Sequence, residues 1–363
     1  LEKYVGILGG GQLALMLCES GEKLNYKTLV LDPDINGCSK NSANIYLNTD
    51  YENEVALEYL GERASVITYE FENVPRNTIG ILEKYRANVP QGYRPLYISQ
   101  NRLREKNAVK ELGIKVPQFK SITSKEELLK GMKEIKGPWI LKSLTGGYDG
   151  KGQKIIETEM DGKTLEINGE FILEEKIALK KEVSLMIIRG VNGDIVTFPI
   201  GENLHRNGIL YKSIVPGRVS EGIKREVLTM GRKIIEELNF YGPLGIEFFI
   251  DENDEIYFNE MAPRPHNTIH YSIDACDYSQ FDLILKGLMG ENIKNPKLLS
   301  PVVMINILGE DKERYLKLKD KENWKIKLYG KTPWKNGRKM GHINILGNSL
   351  EEIEEEIKKY WEE

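Results

Sequence analysis

Two acidic side chains, Glu247 and Glu260, bracket the stretch EFFIDENDEIYFNE. Folded back on itself about a turn at residues 252–255, this stretch sets Asp251 opposite Ile256, Phe249 opposite Phe258 and Glu247 opposite Glu260. Opposed residues share one face of a sheet, with Cβ atoms ~4.5–5.5 Å apart. Two carboxylates at that separation repel, and the two phenylalanines on the same face predict cover rather than open water. A divalent cation between the carboxylates removes the conflict. Oxygen donors that leave room for water and phosphate favour Mg²⁺, or Mn²⁺, over zinc. The alternative is a pair splayed into solvent at a sheet edge. Asn259, one residue earlier, is expected on the opposite face.

A second chemical signal is SLTGGYDGKGQK, residues 143–154, with glycines at 146, 147, 150 and 152. Such a run exposes backbone N–H groups and lets the chain approach a polyphosphate closely. It lacks Walker spacing and lies between the apolar runs WILKS and QKIIE, so a hairpin lid over phosphates is expected, with Lys142 reaching an α- or β-phosphate as a point charge. A ligand-free mobile hairpin is the competing reading. A first glycine turn, in GILGGGQLALML, places Gly9, Gly11 and Ala14 in the G-x-G-x-x-G/A pattern, and KTLVLD ends on Asp32. Taken alone, these admit a dinucleotide site.

Further along, MAPRPHNTIH holds Arg264, His266 and Asn267 between and beside two prolines, a segment better suited to binding than to core formation. LYGKTPWKNGRKMGH gathers Lys331, Lys335, Arg338 and Lys339, which alone would read as a solvated surface. His205, in ENLHRNGIL, is expected at a turn between two strands.

The elements that must position these residues fall into three parts. Up to about residue 100, the strands YVGIL, KTLVLD and ASVITYE alternate with the helical patterns QLALMLCESGEKLN and NTIGILEKYRAN, which predicts a parallel α/β sheet. After the helical NRLREKNAVKELG, short strands with Gly, Asn and Asp turns predict an antiparallel α+β domain containing one long helix, REVLTMGRKIIEELNF. From about residue 300, VVMINILG, WKIKLYGK, GHINIL and a charged terminal helix form a small cap. In 363 residues, 29% are charged and the net charge is only −4, which argues against nucleic acid as the main partner. No apolar run approaches the ~20 residues of a membrane span. Cys18, Cys38 and Cys276 lack metal-ligand spacing and are expected to be reduced thiols in a cytoplasmic protein. No signal segment opens the chain; it begins on Leu1, so the native first residues are expected to be missing or replaced.

In this order along nearly the whole chain, GGGQL, YEFENV, TGGYDGKGQ, NLHRNGIL, NEMAPRPHNT, MINILG and GRKMGH resemble the N5-carboxyaminoimidazole ribonucleotide synthetase family of the ATP-grasp superfamily. The resemblance implies an ATP-grasp fold. A Rossmann-like preATP-grasp domain would span 1–100, an ATP-grasp domain with a lid subdomain 101–295, and a C-terminal cap 296–363. It implies carboxylation of aminoimidazole ribonucleotide with bicarbonate and ATP through carboxyphosphate, giving ADP and phosphate, in a cytoplasmic homodimer of purine biosynthesis.

By the same resemblance, Lys106, Lys142, Gly147, Tyr148, Asp149, Gly150, Lys151, Gly152, Gln153, Glu174, Ile177, Glu182, His205, Asn259 and Glu260 contact ATP, and Glu247 and Glu260 hold Mg²⁺. Gln12, Leu13, Glu72 and Asn267 would contact the ribonucleotide, and Lys331, Arg338 and Lys339 its phosphate. Tyr148, Asp149, Lys151, Arg264 and His266 would surround the bicarbonate and the reacting amine, with Asp149 accepting the amine proton and Arg264 orienting bicarbonate. Lys151 departs from the arginine of many relatives and lacks its planar fork. Three rival readings are a formate-dependent glycinamide ribonucleotide transformylase, an NAD-dependent dehydrogenase and a non-catalytic nucleotide-binding protein.

Overall fold

The computed structural model describes residues 4–146, 152–318 and 321–362. The first unit is a parallel sheet of β1 (Tyr4–Leu8), β2 (Lys27–Asp32), β3 (Ile45–Asn48) and β4 (Ala64–Tyr69), in the order β3-β2-β1-β4. Its strands are near-continuous apolar runs because helices cover both faces. These helices are α1 (Gln12–Lys23), α2 (Glu54–Arg63) and α3 (Arg76–Lys84). The three expected strands and two expected helices are present; β3 and α2 are additions. The Asn53 side chain caps α2 by accepting from Ala56 N–H.

Two short helices, α4 (Arg94–Ser99) and α5 (Arg102–Glu111), lead out of this unit. A second, antiparallel sheet follows, built from β5 (Phe119–Ile122), β6 (Trp139–Ser143), β7 (Gln153–Ile156) and β8 (Phe171–Glu175) in the order β5-β8-β6-β7, with α6 (Lys125–Glu134) and α7 (Glu159–Thr164). The second glycine loop joins β6 to β7, and Lys142 pairs with Gln153 at its base, as the hairpin reading expects.

The third sheet is the largest. Its strands β9 (Leu179–Arg189), β10 (Ile195–Thr197), β11 (Gly201–Arg206), β12 (Ile209–Val215), β13 (Gly242–Asp251) and β14 (Ile256–Ala262) come from the central segment. β15 (Val302–Leu308), β16 (Trp324–Leu328) and β17 (Lys339–Leu346) come from the C-terminal segment and continue the same sheet, because β15 pairs with β12. The order is β14-β13-β9-β11-β12-β15-β17-β16, with β10 beside β9. The long helix α8 (Glu221–Glu237) turns Ile223, Val227, Ile234 and Ile235 onto one face of it. The short α9 (Ser272–Ala275) and α10 (Gln280–Leu288) pack on the other face, where α10 also meets α1. After α11 (Lys312–Lys317), the chain ends in α12 (Leu350–Ile357), and the buried Trp361 seals the sheet there. Among the described residues, no helix is long and apolar enough to cross a membrane.

Candidate active site

Glu247 and Glu260 do face each other across β13 and β14, but the hairpin reaches that register by another route. Ile250 faces Ile256, Phe249 faces Tyr257 and Phe248 faces Phe258, so the expected pairings of Asp251 with Ile256 and Phe249 with Phe258 are each displaced by one residue. The turn is longer than expected: Asp251 N–H donates to Glu255 O, and Asp254 adopts φ 63°. An extra residue, Asn259, then enters β14 between Phe258 and Glu260 and brings the glutamates back into opposition. A bulge re-aims side chains, so the alternation that set Asn259 on the opposite face does not hold across it. Asn259 is buried, and its Oδ1 has no hydrogen-bond partner.

The outer edge of β14 is covered by α5 and the chain after it. Phe258 N–H donates to Lys115 O at 2.8 Å, and Met261 N–H donates to the buried Glu105 carboxylate at 2.8 Å. Arg102, at the start of α5, lies 3.2 Å from Glu260 Oε2.

Glu182 on β9 and His205 on β11 complete the carboxylate cluster. One ligand atom from each of Glu182, His205 and Glu247 lies within 4.8 Å of the others. His205 is not at a turn but inside β11; the turn is Asn207–Gly208, with φ 53° and 77°, the positive pair of a tight hairpin. Burial drives the Glu247 carboxyl well above the usual carboxylate range, and the charges of Glu182 and Glu260 add to the effect. Burial also raises Glu182. Partial burial opposes ionisation of Glu260, but Arg102 and Lys142 outweigh it and hold its carboxyl low. Crowded carboxylates with an orphaned amide oxygen beside them suit a hard divalent cation.

A second charged group lies next to this one. Lys142 Nζ donates to Glu174 Oε2 at 2.7 Å, and Lys106 Nζ stands 3.6 Å from Glu174 Oε1 and 3.3 Å from Phe258 O. All three residues are buried. Burial would raise Glu174, but the two lysines reverse this and lower it to about 2. Burial lowers the Lys106 ammonium and Glu174 opposes this, so one carboxylate is shared between two buried lysines, a setting that an anion's negative charge would favour. Gly152 sits at the loop base with φ 75°, and Ile177 lies half-buried just past β8. Gly147, Tyr148, Asp149, Gly150 and Lys151 lie outside the described residues.

The first glycine turn is not an open phosphate cradle. Gly10 N–H donates to Asp32 Oδ2 at 2.6 Å, and Gly11 N–H donates to Glu70 Oε1 at 3.0 Å. Asp32 also accepts from Asp34 N–H and Tyr51 Oη–H, so it is not available as a ribose-binding acid. A Cβ on Gly9, which has φ 104°, would fall 2.6 Å from the Glu70 carboxylate, so only glycine fits. Burial raises Glu70 to about 7, with Gly11 N–H and Arg264 pulling the other way. Glu70 was not singled out from the sequence; its position in YEFENV is the signal that pointed near it. Glu72, two residues on, is held in a two-pronged pair with Arg264: Nη2 donates to Oε1 at 2.9 Å, and Nε donates to Oε2.

His266 links these regions. Its Nε2 lies 3.6 Å from Glu247 Oε1, its Nδ1 lies 2.7 Å from Thr268 Oγ1, and a Cβ on Gly245 would strike its ring. Burial, with Arg264 nearby, lowers it to about 3, so the ring is neutral near pH 7. Both polar side-chain atoms of Asn267 are buried without hydrogen-bond partners. Lys331 reaches across the fold to donate to Gln12 Oε1 at 2.7 Å and to Lys339 O at 3.1 Å. Arg338 donates to Thr332 O at 3.0 Å, and Leu13 is buried behind Gln12.

Three family models cover almost the whole chain: a ribonucleotide synthetase preATP-grasp domain over residues 2–100, an ATP-grasp domain over 107–281 and a phosphoribosylaminoimidazole carboxylase C-terminal domain over 302–356. The N5-carboxyaminoimidazole ribonucleotide synthase of Staphylococcus aureus (strain COL) is 42% identical over 359 residues, 97% of this chain and 95% of that protein. The chain belongs to the N5-carboxyaminoimidazole ribonucleotide synthase family. Solved members of this synthase family share the fold throughout. The Staphylococcus aureus enzyme complexed with ADP superposes with TM-score 0.93 at 40% identity, covering 99% of this chain and 98% of that one. The Aspergillus clavatus synthase in complex with ADP and 5-aminoimidazole ribonucleotide gives 0.88 at 26% identity, covering 99% and 98%. The expected ATP-grasp architecture, with its preATP-grasp and C-terminal parts, is therefore present, and the dehydrogenase reading fails with the occupied glycine turn.

Proposed function

We propose that the chain carboxylates 5-aminoimidazole ribonucleotide with bicarbonate at the expense of ATP, giving N5-carboxyaminoimidazole ribonucleotide, ADP and phosphate. The observation that carries this reading is adjacency. Arg264 and His266 stand between the carboxylate cluster at Glu247 and the glycine turn with Glu70, so a phosphoryl donor and a ribonucleotide would meet there.

In this reading Lys106 and Lys142 bind ATP phosphates and Glu174 fixes their ammonium groups. Glu247 and Glu260, with Glu182 and Asn259 beside them, would hold Mg²⁺. Bound there, the cation supplies charge neutralisation for phosphoryl transfer. Arg264, whose guanidinium plane is held in place by Glu72, orients bicarbonate. A bicarbonate oxygen attacks the γ-phosphorus and ADP leaves; the exocyclic amine then gains the carboxyl carbon of carboxyphosphate as the C–O bond joining that carbon to the phosphate breaks and inorganic phosphate departs. Neutral His266 acts as a hydrogen-bonding group rather than a cation. Asp149 takes the proton lost by the amine, and the loop it sits on excludes the water that would destroy carboxyphosphate. Gln12, Asn267 and Glu70 contact the ribonucleotide, and Lys331, Arg338 and Lys339 its phosphate.

ADP release with each component omitted in turn tests this. Full release is expected only with ATP, Mg²⁺, bicarbonate and 5-aminoimidazole ribonucleotide together; equal release with formate and glycinamide ribonucleotide would move the chain to the transformylase reading.

Glu70 adds a pH dependence. As a carboxylate it accepts hydrogen bonds from ribose hydroxyls, so the KM for the ribonucleotide should fall roughly 3–10-fold as pH rises through about 7. The Glu70→Gln enzyme should show a flat KM profile. The stability effect has the opposite sign. A carboxyl raised in the folded state stabilises fully below its unfolded value and loses that contribution as pH rises through about 7.

A further inference from the structure

We infer that Gln280, on the first turn of α10, is the positioning residue that fixes His266 and thereby aligns the carboxyl-donating end of the site with the ribonucleotide end. The inference rests on the proposed function, and it starts from a backbone problem. Beyond Ala262 the chain leaves β14, and Pro263 and Pro265 have no N–H to offer a neighbour. Among the described residues, no strand pairs with the segment that carries Arg264, His266 and Asn267. His266 O accepts from Ile269 N–H at 3.1 Å, and Gln280 supplies the partner for His266 N–H and a second donor to His266 O. Its Oε1 accepts from His266 N–H at 2.8 Å, and its Nε2 donates to His266 O at 2.8 Å. One amide therefore bonds to both main-chain groups of one residue, as an adjacent strand would. Gln280 Nε2 also lies 3.2 Å from His270 Nδ1, which takes its remaining proton.

Gln280 is fully buried, and its own placement is fixed on the other side. Its N–H donates to Ser272 Oγ at 3.0 Å, and the preceding Ser279 closes a capping box with Asp282. Asp282 in turn accepts from Ser20 Oγ at 2.6 Å and Lys23 Nζ at 2.7 Å, both on α1. α1 begins at Gln12, whose side chain meets Lys331. A set of hydrogen bonds thus links the helix that starts the ribonucleotide pocket, through α10, to the main chain of His266, whose ring Nε2 lies 3.6 Å from Glu247 Oε1. Carboxyphosphate is short-lived, so misalignment between the two ends would show first as ATP cleaved without carboxylation.

The test compares Gln280→Met, which keeps bulk without hydrogen bonds, with Gln280→Glu, which keeps the acceptor for His266 N–H but sets a carboxylate against His266 O. ADP and carboxylated product are measured in the same reaction across pH. For Gln280→Met we expect a KM for ATP within about 2-fold of the parent and a kcat/KM for 5-aminoimidazole ribonucleotide lower by on the order of 10²-fold. More than one ADP should form per product. Measured as a ratio to the parent at each pH, Gln280→Glu should recover toward acid pH, as protonation restores the donor, whereas Gln280→Met should not. An unchanged ADP-to-product ratio in Gln280→Met overturns the inference, as does an absence of acid recovery in Gln280→Glu. If Gln280→Met does not fold, the pH profile of Gln280→Glu decides alone. A parent enzyme inert toward 5-aminoimidazole ribonucleotide would strike the proposed function instead.

Discussion

Glu247→Gln should lower Mg²⁺-dependent ADP formation by about 10²–10³-fold while leaving the protein folded. The substitution keeps the shape of the side chain and removes its charge. Glu247 lies at the centre of the cluster: it opposes Glu260 across the hairpin, shares donor geometry with Glu182 and His205, and meets His266. Without a cation its carboxyl is pushed up by burial and by two neighbouring acids, so the amide should relieve that repulsion. The variant is therefore expected to be at least as stable as the parent in the absence of metal, yet to gain less thermal stability on adding Mg²⁺. Both readouts are needed. Full Mg²⁺-dependent activity in Glu247→Gln would remove the metal assignment, and equal stabilisation by Mg²⁺ in both proteins would place the cation elsewhere.

Much of this arrangement is legible in the sequence, for physical reasons that differ from residue to residue. Opposition of Glu247 and Glu260 follows from folding one short segment on itself, so local pattern sufficed even though the assumed turn was wrong. The error of one residue at the turn was cancelled by the bulge at Asn259, and sequence alternation has no means of signalling such an insertion. Lys142 could be placed because it ends an apolar strand beside a glycine hairpin. Arg102 and Glu105 could not, since their relevance comes from α5 lying along β14, a contact between segments over 150 residues apart. The same holds for Gln280, which reads as an ordinary helix-start residue until His266 is found against it. In the fold, the parallel α/β unit was plain from its apolar runs. β3 was missed because none of its residues is fully buried, and α2 because it buries only Leu57 and Leu60. Nothing in the spacing of VVMINILG showed that it would extend the central sheet rather than begin a new one; that depends on β12 offering a free edge.

The largest expected effect on folding belongs to Glu174. Replacing it by Gln leaves buried Lys106 and Lys142 with no carboxylate between them and removes the group that opposes the burial-lowered titration of Lys106; breaking such a buried pair costs about 3–5 kcal/mol. The cost should fall where the group sits, on β6, β8 and α5, so amide hydrogen exchange in those elements should accelerate by roughly 10²–10⁴-fold, with α8 and its strands much less affected. Acid titration supplies the sign. The Glu174 carboxyl is lowered to about 2 in the folded protein, so its contribution is present above the ordinary value of 4.5 and is lost as pH falls from there toward about 2. That acid-side loss should be absent from Glu174→Gln. Nucleotide should then separate electrostatics from packing. If the lysines bind ATP phosphates, the triphosphate supplies the missing negative charge, and ATP should restore more exchange protection to Glu174→Gln than it adds to the parent. A variant that is destabilised but gains nothing extra from ATP would mean that the two lysines serve only the fold.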